Sequence, residues 1–391
     1  MKLFKSLLVA PAALGLMAPM SASASEVNLN EISNYSDVES IEFSNSFNND
    51  DSTLNPLIAG GEGLVDDHSH DGGFSETTTA SFSADMMLGA VDGGTSNTDD
   101  SVMAGYSFQI DLNTSFTGED SLDISLDAGN AGGNGVSEFD GNNTPSDALT
   151  VDGVAYTFPL GDATTVMVGD GKDGSELFTK ACVYGGPSNT LDDCGNPNAN
   201  FANGGAMVGA SYDFGTGFTA AVGYAGDETS VMTDEGGDAY GINAAYTGDN
   251  WGVSATLGLI DSVVTTDPQA VADYTDSFTA FNAYYTPEGF PSISVGYEIG
   301  EDDSAISNAD ELRSFFLGLS WDEAGPGSAG IALGTKTPTV ENEEEQYMYE
   351  AYYSYPINDG MTVTPLVFMK EHNDSSLDDE TGLMVKTSFK F

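Results

Sequence analysis

Basic residues are scarce in this chain: Lys and Arg number 9 against 62 Asp and Glu, for a formal net charge of −53. That balance excludes nucleic acid as a partner, because phosphate binding needs clustered cations. Cysteine is rarer still, with Cys182 and Cys194 alone, so a disulfide-dense scaffold and a cysteine-built metal module are both closed to it. The 3 histidines leave little for general-base chemistry. His372, beside Glu371 and Asp374, reads as a solvated loop residue, and no enzyme, catalytic residue or cofactor is expected. Nothing after residue 24 approaches the roughly 20 apolar residues of a helical membrane span.

The first 24 residues have their own pattern. Lys2 and Lys5 precede an apolar stretch from Leu7 to Ala18 and the small-residue site Ala22-Ser23-Ala24, which together predict a secretory leader over 1–24. Residues 25–73, rich in Asn, Ser, Asp and Gly, read as a flexible acidic periplasmic lead-in. Within it His68 and His70, flanked by Asp66, Asp67 and Asp71, have N and O ligands for a transition metal, but a solvated polar run is the expected reading. In an exported chain Cys182 and Cys194 are expected to pair. The acidic run Glu341 to Glu345 could hold calcium weakly, which is poor evidence of a specific site.

What is present is period-2 alternation. Sixteen segments can be delimited, beginning near Thr77, Ser101, Ser121, Leu149, Thr164, Gly205, Gly217, Asp238, Asn250, Thr275, Pro291, Glu311, Gly327, Gln346, Gly360 and Glu380. Short turns such as Gly161-Asp162 and Asn358-Asp359 alternate with longer, more acidic connections such as Asp374 to Glu380. From Tyr106 to Phe116 one face carries Tyr106, Phe108, Ile110, Leu112 and Phe116, and the other Ser107, Gln109, Asp111, Asn113 and Ser115. Alternation of this kind suits a soluble sandwich or a membrane barrel, but only the barrel explains alternating loop lengths. The predicted fold is therefore all-β: a transmembrane, antiparallel, up-and-down β-barrel of about 16 strands over residues 74–391, with short periplasmic turns and long outer loops. A secreted acidic all-β adhesin or calcium-binding structural protein is the alternative.

The last strand places Leu383, Val385, Phe389 and Phe391 on one face and Met384, Lys386, Ser388 and Lys390 on the other. Phe389 and Phe391 resemble the signal by which barrel-assembly machinery recognises its clients. Leu149 to Asp170, Cys182 to Gly195 and Met384 to Phe391 resemble the cyanobacterial porins related to the OprB carbohydrate-selective family. The resemblance implies an outer-membrane location in the lipid bilayer, a barrel that is often trimeric, and passive diffusion of small hydrophilic solutes, with sugars or inorganic ions as cargo. Residues 26–73 are too short and polar for the S-layer-homology domain many such porins carry.

In sixteen-stranded porins the third outer loop commonly folds inward. Here that loop, 170–203, carries Cys182, Cys194, Lys172 and Lys180. It is expected either to form a disulfide-stiffened constriction, with its lysines facing wall acids such as Asp111, Asp123 and Asp127, or to be a stapled surface loop. Asp111, Asp123, Asp127, Asp213, Glu298 and Glu350 are the candidate pore-lining acids, whose summed field would favour cations.

Overall fold

The structure is a computed structural model and describes residues 77–93, 101–132, 136–201, 205–233, 236–267, 270–301, 311–372 and 378–391. The expected leader, the lead-in, His68, His70 and Asp374 lie outside these residues.

Strands β1 (Thr78–Asp92), β2 (Met103–Thr114), β3 (Ser121–Gly129), β4 (Thr150–Leu160), β5 (Thr164–Asp170), β6 (Ala206–Asp213), β7 (Phe218–Gly226) and β8 (Asp238–Thr247) pair antiparallel in order. The series continues through β9 (Trp251–Asp267), β10 (Ala270–Tyr285), β11 (Ser292–Glu301), β12 (Leu312–Ala324) and β13 (Gly327–Thr335). It ends with β15 (Tyr347–Asn358), β16 (Met361–Lys370) and β17 (Glu380–Lys390). Between them β14 (Thr339–Val340) is a two-residue strand bridged to the start of β12. β17 then pairs with β1 from Ser83↔Lys390 to Asp92↔Thr381, so sixteen long strands close into a barrel and no edge remains. This closed single sheet overturns the sandwich alternative.

Inside and outside are inverted relative to a soluble protein. Along β11 every second residue is buried, and the buried set is Ser292, Ser294, Gly296, Glu298 and Gly300. The exposed set is Ile293, Val295, Tyr297 and Ile299, followed by Glu301. An apolar face turned outward and a polar face turned inward is what lipid outside and water or polar loops inside require. Rings cluster at the short-turn end, with centroids of Tyr212–Phe214, Phe218–Tyr246 and Tyr246–Trp251 within 4.8 Å, as an interfacial aromatic girdle would.

Short turns are built locally. In the turn from β2 to β3, the buried Asp120 carboxylate accepts hydrogen bonds from Ser115 Oγ, Thr117 Oγ1 and the backbone N–H groups of Phe116 and Thr117, and from the Tyr156 hydroxyl at 2.6 Å. That Tyr156 bond, with those from the turn, holds Asp120 well below the usual carboxylate range. On the long-loop side one strand differs from expectation: β9 and β10 stay paired as far as Asp267 and Ala270, so β10 begins before Thr275.

The seam ends on Phe391, whose N–H and C=O exchange hydrogen bonds of 3.1 Å with Phe82 while the two rings stack at 5.9 Å. Phe391→Asp removes a ring pair worth about 0.5–1.5 kcal/mol and sets a charge on the seam. The folded, heat-modifiable fraction is expected to fall by roughly threefold to tenfold. A variant at wild-type level would show that the seam does not depend on this residue.

Candidate functional site

The described part of the third outer loop, 171–201, lies inside the barrel. Its backbone is caught by inward polar side chains on successive strands, so the wall acts as a ladder of hydrogen-bond partners. Thr179 N–H donates to Asn243 Oδ1 on β8 at 3.0 Å, and Ala181 N–H donates to Ser254 Oγ on β9 at 3.0 Å. Val183 and Tyr184 N–H groups both reach Ser294 Oγ on β11, at 3.1 and 3.2 Å. On the return path Asn282 Nδ2 on β10 donates to the Cys194 carbonyl at 2.9 Å. The loop can lie this close because the wall is glycine where it passes. A Cβ at Gly296 would stand 1.7 Å from the Cys194 carbonyl oxygen, and one at Gly223 would stand 1.9 Å from that of Gly174.

Cys182 and Cys194 form a disulfide across the loop, as expected. Glu298 and Glu350 face inward but do not meet open water. Glu298, 2% exposed, accepts the Asn198 and Ala199 N–H groups at 3.0 and 2.7 Å and Asn198 Nδ2 at 2.8 Å. Glu350, also buried, accepts the Tyr184 hydroxyl at 2.5 Å. These two acids anchor the loop, which covers the strand positions that carry them.

The described residues 136–149 of the second outer loop fold in beside it. Val136 and Phe139 pack with Tyr184 and Leu191 of the third loop and with Met87, Phe368 and Met384 of the wall in one apolar cluster inside the barrel. Glu138 sits within this packing, ion-paired with Lys370 of β16 and accepting the Thr190 hydroxyl at 2.9 Å. The Lys386 ammonium lies 5.4 Å from the centroid of the Phe139 ring.

What these loops leave is a polar arc on β2 and β3, whose side chains are partly exposed and bond chiefly to one another. Gln109 Nε2 donates to Asp111 at 2.8 Å, Asn113 Nδ2 to Asp123 at 2.6 Å, and Thr150 Oγ1 to Asp127 at 2.9 Å. Asp111, Asp123 and Asp127 therefore share one inner face, as the alternation implied. Asp213 stands apart, exposed at the short-turn end, where it accepts the Gly215 N–H of the turn to β7.

The loop lysines do not meet the acids expected of them. Lys172 Nζ lies 3.5 Å from Asp152 of β4 and donates to Ser125 Oγ at 3.1 Å. The reason is local: Gly171, at φ 71°, turns the chain leaving β5 back over Gly153, and a register shift at Ser125/Leu126 presents Asp152 there. Lys180 Nζ donates to the Asp192 carbonyl within its own loop at 3.3 Å, and burial lowers its pKa against the pull of Asp193 and Asp192. Three further inward lysines, Lys370, Lys386 and Lys390, and the loop-catching Asn243, Ser254, Asn282 and Ser294 were not singled out from sequence. Their signal was available in the inward parity of their strands.

Beside His372, the Glu371 carboxylate accepts the Tyr347 N–H at 3.1 Å and the Tyr349 hydroxyl at 2.9 Å.

The closed sixteen-strand barrel is similar in fold to solved porins. Solved structures with that fold include OprB from Pseudomonas putida, 13% identical with a TM-score of 0.58 over 81% of this chain and 94% of that one. The anion-selective porin from Comamonas acidovorans is 14% identical with a TM-score of 0.58 over 81% of this chain and 99% of that one. A mutant of Rh. blastica porin is 14% identical with a TM-score of 0.52 over 80% of this chain and 100% of that one. No protein-family model and no curated protein matches the chain.

Proposed function

We propose that this chain is an outer-membrane porin through which small hydrophilic solutes, carbohydrates and inorganic ions, diffuse passively along a water-filled bore with an acidic wall. The observation that carries this reading is the partly exposed arc of Gln109, Asp111, Asn113, Asp123 and Asp127, which the two inward loops leave uncovered. Asp and amide side chains that already bond one another exchange partners readily with water, sugar hydroxyls or hydrated cations. Nothing in such a wall performs chemistry on what passes. The third loop then narrows the bore, and the disulfide and the ladder of wall contacts fix its width.

The same reading includes residues 1–24 as a leader, 25–73 as a periplasmic lead-in, assembly through the machinery that reads Phe389 and Phe391, and a place beside the cyanobacterial porins related to OprB, which are often trimeric. Liposome swelling tests it. The reconstituted chain is expected to admit pentoses and hexoses and to slow steeply from disaccharide to trisaccharide. Liposomes that stay impermeable to every sugar and to salt, with the barrel folded, would contradict it.

A further inference from the structure

Beyond residue 24 the sequence has seven basic residues, Lys172, Lys180, Arg313, Lys336, Lys370, Lys386 and Lys390. Arg313 and Lys336 are spent at the rim, bonded to Glu311 and to the Glu371 carbonyl. Of the other five, Lys172 and Lys180 belong to the inward third loop, Lys370 and Lys386 lie on inner strand faces, and Lys390 is exposed at the short-turn mouth, on the inner face of β17, an uneven distribution in a chain of 62 acids. Lys172 and Lys180 are tied down as described, and Lys370 is neutralised by Glu138. Lys386 and Lys390 remain, and among the described residues neither forms an ion pair.

Both lysines share the inner face of β17 with the fully buried Met384. Four residues of strand separate them by about 13 Å. Hydroxyls fill the interval: Ser388 lies between them on β17, Thr362 lies opposite Ser388 on β16, and Ser83 lies opposite Lys390 on β1. The charged group nearest in register is Asp85, opposite Ser388 and so diagonal to both lysines. Phe139 faces Lys386 from the second loop, and Thr364 faces it from β16.

We infer that Lys386 and Lys390, with Ser388, Thr362 and Ser83, form a two-step binding stripe for small oxyanions, of the phosphate class, within the otherwise acidic channel. The inference rests on the channel reading above and names a class of solute for it. An ammonium without a carboxylate partner, next to hydroxyl donors and low-dielectric walls, replaces part of an oxyanion's hydration. Two weak sites in series let the ion enter and leave, where one strong site would trap it. Asp85, diagonal to both steps, weakens each and keeps residence short.

The test is single-channel recording of the full chain in planar bilayers, with inorganic phosphate added to a potassium chloride bath. In the wild type, phosphate is expected to reduce the chloride-carried current. Lys386→Gln with Lys390→Gln is expected to weaken that effect by about tenfold and to raise the cation-to-anion permeability ratio in 1 M salt by at least about twofold. Lys386→Arg with Lys390→Arg should retain both properties, and Lys336→Gln at the rim should change neither. Heat-modifiable mobility certifies that each variant is folded. Glutamine variants that conduct with unchanged phosphate sensitivity and unchanged permeability ratio would overturn the stripe and leave the channel reading intact. A folded wild type that never conducts would overturn the channel reading itself.

Discussion

Lys370→Met is expected to loosen the inward second loop by about 3–5 kcal/mol, the cost of leaving a buried carboxylate without its counter-ion. The two side chains of the Lys370–Glu138 pair are 13% and 8% exposed, so water does little to screen the loss. Glu138 also accepts the Thr190 hydroxyl and, through its carbonyl, the Asn189 N–H at 3.0 Å, so the strain reaches the third loop. Adding Glu138→Gln should recover most of the loss, because the amide needs no cation and still accepts a hydrogen bond from Thr190. Protease sensitivity and hydrogen exchange over residues 136–140 measure both variants. Equal behaviour of the single and double variants would show that the charge pair is incidental.

Glu298→Ala is expected to have a comparable effect on the return arm of the third loop. Its carboxylate receives two backbone N–H groups and one amide from Asn198 and Ala199 in a site sealed from water. Each orphaned donor costs about 1–3 kcal/mol, so the amides of Asn198 and Ala199 should exchange roughly a hundredfold faster. Channel conductance should rise as the return arm of the loop leaves the wall. Glu298→Gln retains an acceptor and should change both quantities less. Unchanged exchange at Asn198 and Ala199 in the alanine variant would contradict the anchoring role.

The barrel was legible because a strand with lipid on one side and polar matter on the other writes period 2 directly into the sequence. Observed strand starts follow the alternation closely, and the seam at Phe391 lies where the final amphipathic strand ends. β10 is the exception: alternation starts it near Thr275, whereas pairing with β9 carries it back to Ala270. The site was legible only by face. Parity placed Asp111, Asp123 and Asp127 together, but it also nominated Glu298 and Glu350, because alternation says which way a side chain points and not what covers it. Covering is a long-range property: Glu298 meets Asn198 and Glu350 meets Tyr184 across the barrel, through a loop whose path is set by glycines and single hydroxyls on distant strands.

The central claim is a conducting, acid-walled bore, and reversal potentials across a planar bilayer in potassium chloride gradients test it most directly. Discrete, ohmic steps with cations preferred in dilute salt are expected. That preference should decline as salt approaches 1 M, where the Debye length is about 3 Å and the carboxylates act only at contact. A folded barrel that gives no steps, or one that prefers anions in dilute salt, would contradict it.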